Sequence, residues 1–506
     1  MRPSHCGGLE ERVTEQTAGR RRAPDGVVLA LACVAQFMVV LDVSIVNVAL
    51  PSIGRELHYT SSGLQWVVNA YVLTFAGFLL FGGRAADLFG RRRIYLFGMG
   101  LFTLASLAGG LAESPAWLTA ARAVQGVGGA FLSPATLTLI VTTFTDPRRR
   151  TKALGAWSAV AGAGGAAGAI LGGVLTAELS WRWVLYVNLP IGVITMAAAA
   201  LWLTEQRRPA GAGNRPRLDI GGAVTITAGL GALVYAIIET STHPWLSAST
   251  LSALGVAVVL LAAFAIIELR LAAEPIVPFQ LFRSRSVTGA NLVMLPVGAA
   301  FFSMWYFLSL YLQDVLGYSA LRAGLAFTPM GVAIIIGAQV SPRLLPRIGL
   351  RPVLVIALLL ATFGFAWMSR IPAHSSYVAH VLGPGCIVAF AIGLLFTPLA
   401  GAATAGVPLN QAGLASGVLN TSRQVGGSLG LAALATVAVD RTRAELATAH
   451  ASASAYTAGY DRAFIIAAVL GVVGLLCSLL IPTASAARQA QDREPQPQIT
   501  PEPERR

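Results

Sequence analysis

The chain has 506 residues, of which 55% are hydrophobic and 12% charged, against about 25% charged in an ordinary soluble domain. That excludes a set of soluble domains, which would lack the polar surface to stay dissolved, and leaves a polytopic membrane protein. The net charge of +13 does not point to a nucleic-acid partner: the basic residues are scattered through short loops, with no basic face interleaved with aromatics, as membrane topology requires.

Residues 1–25 are polar with both signs of charge and read as a cytoplasmic segment. The first apolar run is full length, unlike the short core of a cleaved signal. Apolar segments then follow at 26–50, 63–82, 93–112, 116–143, 152–176, 184–204, 218–239, 249–269, 287–313, 322–342, 352–370, 377–401, 413–438 and 461–482. Each is of a length that crosses a bilayer core of about 30 Å as a helix. The expectation is an all-α protein of 14 spans, closed by a disordered Gln/Pro/Glu-rich tail at 483–506. With the N-terminus inside, the inner segments hold 27 of the 36 basic residues and the outer ones 6, with Arg122, Arg322 and Arg423 inside or at the ends of spans. That bias supports both the even count and an orientation with both termini in the cytoplasm.

The first span carries Asp42, the one acid among 23 that lies well inside an apolar run. A charge at that depth costs about 2.5–3.5 kcal/mol on insertion scales, so it faces a cavity or a partner. Such acids are functional by default; the plainer reading is a neutral Asp bonded to a neighbouring helix.

Gly83 to Arg93 joins spans 2 and 3 and packs one acid, Asp87, and four arginines into eleven residues. It reads as a compact charged turn at the cytoplasmic surface. Arginines alone would be an anchor; Asp87 with Gly83 and Gly90 exceeds what topology needs.

In span 4, Arg122, Gln125, Gly126, Gly129 and Ala130 share one helical face. Arg122 sits close enough to the outer end to snorkel outward instead, and residue types leave the two readings open. Span 5 carries two small-residue stripes, Gly164/Gly168/Gly172 and Gly165/Ala169/Gly173. Such stripes let helices approach closely in lipid, and serve sliding or static packing alike. Further on, Ser341 to Pro352 is a weak copy of the Gly83–Arg93 stretch without the acid, the mark of two related halves.

Cys6, Cys33, Cys386 and Cys477 show no paired spacing. The lone Lys152 follows no phosphate-loop pattern, and the six histidines are scattered. No nucleotide motor, cofactor or metal is expected. An intramembrane enzyme or a non-transporting membrane sensor is the alternative of a different class, and no residue pattern supports an enzyme.

These stretches together resemble the major facilitator superfamily, specifically its fourteen-span drug/proton antiporters. Leu41-Asp42 through Asn47 to Pro51 is similar to the first-span motif, Gly83–Arg93 to the hallmark loop, Ala121–Ala130 to the fourth-span motif and Gly164–Gly173 to the fifth-span antiporter motif. Trp181–Gly192, Gln313–Gly324 and Gly413–Asn420 are typical of the fourteen-span branch. Ala169 stands where the fifth-span motif usually has proline, and the tenth span lacks a second membrane acid seen in some relatives.

The resemblance implies a major facilitator fold. It has an N-terminal six-helix bundle at 26–204, a linker with two additional helices at 205–286 and a C-terminal six-helix bundle at 287–482. It implies proton-driven export of small amphipathic drugs, antibiotics or metabolites by a monomer in the cell membrane, in a bacterium the inner one. The implied roles are proton coupling at Asp42 and Arg122, and a substrate cavity at Asp42, Asn47, Gln125 and Gly126. A conformational lock would use Gly83, Asp87, Gly90 and Arg91, with Asp87 reaching the start of span 13 near Ala412–Gly417. Gating would use Gly164, Gly168, Gly172 and Gly173.

Overall fold

The computed structural model describes residues 24–203, 219–272, 275–277, 279–373, 376–407, 411–448 and 452–482. Residues 1–23, 204–218 and 483–506, where the leading segment, a stretch of the linker and the tail were expected, lie outside them.

Among the described residues fourteen long helices occur: α1 (Asp25–Glu56), α2 (Trp66–Phe89), α3 (Arg91–Gly110), α4 (Pro115–Thr143), α5 (Pro147–Glu178), α6 (Asn188–Trp202), α7 (Ile220–Glu239), α8 (Ala248–Ile266), α9 (Arg285–Leu310), α10 (Thr328–Ile348), α11 (Leu350–Met368), α12 (Gly383–Thr404), α13 (Ala412–Ala447) and α14 (Ser452–Ser478). They match the expected segments one for one, and no strand occurs among the described residues. Thirteen helical segments are long and apolar enough to cross a membrane. The remaining one, α13, is the longest helix, with 36 residues, but carries Asn420, Ser422, Arg423 and Gln424 in its middle and charged residues near its end.

Local chemistry explains several helix starts. Ser114 and Asp146 cap α4 and α5, accepting from the backbone N–H of Trp117 and Arg149, and each is followed by proline at the first helical position, where a missing N–H does no harm.

The expected turn at Gly83–Arg93 is not a turn of eleven residues. Helix α2 runs through Arg84, Asp87 and Leu88 to Phe89, and α3 begins at Arg91. Charge marks where a helix meets water but does not break its backbone hydrogen bonds. The break falls on Gly90 alone, at φ 94°, a conformation that disfavours any side chain. The weak copy behaves alike: α10 continues to Ile348, Gly349 stands at φ 85°, and α11 starts at Leu350. Both junctions are therefore single-glycine breaks, which supports the internal repeat.

The chain packs as two units. One takes the chain up to Val277 together with Leu308–Thr328, and the other takes Pro278–Phe307 and the chain from Pro329. In the first, α2 packs on α4, α1 on α5, and α3 on α4 and α6. In lipid no hydrophobic force drives helices together, so close packing has to do it. The closeness is visible at Gly128, where an added Cβ would meet the Phe102 backbone at 2.6 Å. Pro51 lies inside α1 and has no N–H for the Asn47 carbonyl one turn back. The Ser309 hydroxyl supplies that bond instead, at 2.6 Å, and Gln313 donates to the next carbonyl, of Val48, at 2.9 Å. The second unit holds an apolar cluster that includes Val293, Leu354, Leu358, Leu394 and Leu399.

Candidate functional site

The first unit holds a polar network sealed from solvent. Asp42 of α1 is fully buried and Arg122 of α4 is 2% exposed. An Arg122 Nη1 lies 2.5 Å from Asp42 Oδ2. On the other oxygen, Oδ1, Asp42 accepts from Gln125 Nε2 at 2.8 Å and from Asn188 Nδ2 at 3.1 Å. Both carboxamides also donate to Ser106 Oγ on α3, at 3.2 and 3.0 Å, and Ser106 donates to the Leu185 carbonyl at 2.8 Å. Arg122 is held further by the Gln125 Oε1 and Val67 carbonyl oxygens, at 2.7 and 3.1 Å, and its guanidinium lies 4.5 Å from the centre of the Tyr71 ring. Helices α4 and α6 thus meet the carboxylate of α1, with α3 joined through Ser106 and α2 through the contacts of Val67 and Tyr71 to the arginine.

Arg122 turns inward, which decides between the two readings left open by its position near a span end. Its partner i+3 on the same face, Gln125, turns with it, as helical spacing requires. All the contacts to Asp42 come from N–H donors, which suits an acceptor-only carboxylate. An added proton would break one of these bonds and leave the Arg122 charge without its counter-ion.

Other expected residues fall elsewhere. Asn47 bonds its own helix, donating to the Val43 carbonyl at 2.8 Å. Gly126 faces α2, with Tyr71 and Thr74 filling the space a side chain would need. Gly83 lies 3.5 Å, measured from its would-be Cβ, from Pro134. The Asp87 side chain lies outside the described residues, and Arg91 is partly buried at the start of α3. The glycine stripes of α5 each have a partner. Gly164, Gly168 and Gly172 lie against Phe37, Leu41, Ser44 and Ile45 of α1, and the Ser44 hydroxyl donates to the Gly165 carbonyl at 2.6 Å. Gly173 lies against Ala320 and Leu321, with a would-be Cβ 2.7 Å from the Ala320 carbonyl.

Sequence reasoning missed Ser106, Asn188 and Tyr71 as network members. Asn188 lies 146 positions from Asp42, and no periodicity links residues so far apart. The signal available was a carboxamide inside the Trp181–Gly192 motif, at the start of an apolar span.

The Major Facilitator Superfamily family model matches residues 32–431. The chain belongs to that superfamily. Among curated relatives, it is 46% identical to the cephamycin export protein CmcT of Amycolatopsis lactamdurans, over 84% of this chain and 88% of that one. It is 41% identical to the puromycin resistance protein pur8 of Streptomyces alboniger, over 90% of each. Among solved structures, the POT family transporter PepTSo aligns at a TM-score of 0.66 and 14% identity, covering 90% of this chain and 99% of that one. A bacterial homologue of the human lysosomal transporter Spinster aligns at 0.61 and 18%, covering 90% and 97%. At these identities the structural likenesses speak for the fold alone. Major facilitator proteins are transporters rather than enzymes.

Proposed function

We propose that this major facilitator protein is a secondary active exporter of small amphipathic compounds, antibiotics among them, driven by proton influx through Asp42. The exported compounds follow from what the relatives' names say of those relatives. The coupling reading rests on one observation, the sealed Asp42–Arg122 pair braced by Gln125 and Asn188.

In this reading Asp42 takes a proton from the outside when the cargo has left, releases Arg122, and gives the proton up inside as new cargo arrives. The 26–204 and 287–482 bundles rock about the cargo, with α7 and α8 as the added pair and both termini in the cytoplasm. Asp87 and Arg91 close one side at the Gly90 junction, and the α5 glycine stripes against α1 and Ala320–Leu321 give a surface on which helices slide without side-chain interlock. The unit acts as a monomer.

The test is reconstitution of the full chain in vesicles, with puromycin inside and a pH gradient imposed across the membrane. Wild type should move puromycin or another compound of an antibiotic panel uphill, with stoichiometric proton movement in the opposite direction. Downhill movement alone, indifferent to the gradient, contradicts antiport.

A further inference from the structure

Arg423 of α13 is the second arginine deep in a span, and its surroundings differ from those of Arg122. It lies eleven residues into the helix from Ala412, about 16 Å along the axis at 1.5 Å per residue. It lies inside the apolar run read at 413–438. One Nη2 donates to Asn420 Oδ1 at 2.7 Å, on its own helix, and the guanidinium carbon lies 5.7 Å from the centre of the Phe396 ring on α12. Nε is buried and has no hydrogen-bond partner. No acid pairs with Arg423 among the described residues. Beside it, Gln424 is 5% exposed, with Oε1 also unpartnered, while Ser422 is taken up by Asn291 Oδ1 at 2.8 Å.

A guanidinium has five donors and no acceptor. Placed in a membrane core with one neutral partner, it retains a full charge and unused donors in a fixed fork. That fork matches a carboxylate. Among the described residues the charge has no counter-ion, so the proposed counter-ion is a bound anion. The Phe396 face gives an apolar wall beside the charge, which suits a carboxylate carried on an aromatic or aliphatic body. We propose that Arg423, with Asn420 and Phe396, binds the carboxylate of an amphipathic organic anion, and that such anions are the cargo class. The inference rests on the export reading and adds to it the charge of the compound carried.

The experiment reads binding, not transport, so its failure is separable from failure of the export reading. Purified full-length protein in lipid nanodiscs is titrated with benzoate, and in parallel with neutral benzamide, at constant chloride, following the thermal unfolding midpoint. Ligand that binds the folded state raises that midpoint. Benzoate should raise it in wild type and benzamide should not. Arg423→Gln should weaken the apparent benzoate affinity at least about tenfold, as loss of a charge-assisted fork does, and Arg423→Lys should fall between. Without ligand, Arg423→Gln should unfold no earlier than wild type, because it removes a half-buried charge that no acid neutralises among the described residues. An equal response to benzoate and benzamide, no response to either, the same benzoate response in Arg423→Gln, or a Gln variant that does not fold would each overturn the proposal. Export that fails in vesicles while benzoate binding stands would sink the export reading instead.

Discussion

The two intramembrane arginines set the two units of this transporter apart. Arg122 has an acid at 2.5 Å, two further acceptors and an aromatic face, and its partner carboxylate is saturated in turn. Arg423 has one neutral acceptor and a buried Nε with none. In the reading proposed above, the neutralised pair stores and releases a proton on Asp42, and the unneutralised guanidinium takes up an anion. The single-glycine junctions at Gly90 and Gly349 are alike in the two halves, while the surroundings of the two arginines differ.

The comparison breaks first at Arg122. Arg122→Leu leaves Asp42 buried without its counter-charge and should destabilise the protein by about 3–5 kcal/mol; thermal unfolding in nanodiscs reads it directly. A loss as small as that of a surface substitution would mean the pair is not sealed. Asn188→Leu keeps the volume but removes a donor from the carboxylate, and should lose about 1.5–3 kcal/mol, the range for hydrogen bonds to charged groups. Its readout is a double-mutant cycle with Asp42→Asn, where the Asn188 effect should shrink by half or more. Strict additivity would show that Asn188 packs but does not brace Asp42. Ser309→Ala should lose about 0.5–1.5 kcal/mol by uncovering the Asn47 carbonyl that Pro51 leaves open. Restoring the N–H with Pro51→Ala should cancel most of that loss, and a loss unchanged in the Pro51→Ala background would assign Ser309 another role. The smallest effect sharpens the contrast: Arg423→Gln, the mirror of Arg122→Leu, should change ligand-free stability by less than about 1 kcal/mol.

Much of this was legible in the chain. Each of the fourteen expected segments met a long helix among the described residues, thirteen of them apolar enough to cross a membrane, because an apolar run of bilayer length has no other use in so uncharged a sequence. Asp42, Arg122 and Gln125 were legible because a charge inside such a run is costly, and because three-residue spacing puts Arg122 and Gln125 on one face. Ser106 and Asn188 were not, since a lone hydroxyl or carboxamide costs little in a span and gains meaning only from neighbours far along the chain. Gly126 was read as cavity wall, yet it is a contact surface for α2: composition shows that a residue is small without showing what fills the space. Hydropathy also marks the apolar core of a helix and not its hydrogen bonds, which is why α2 outruns its expected end at 82 and reaches Phe89, and α14 begins at Ser452 rather than 461.

The central claim is that Asp42, held by Arg122, carries the proton. Asp42→Asn keeps the size and mimics the protonated form. Reconstituted in vesicles beside wild type, with puromycin or whichever panel compound wild type transports, it should insert normally and still equilibrate the compound across the membrane. It should fail to concentrate it against a gradient when a pH difference is imposed, and its exchange should no longer vary with pH. Uphill transport with an unchanged pH dependence would make Asp42 a structural acid and place the coupling site elsewhere.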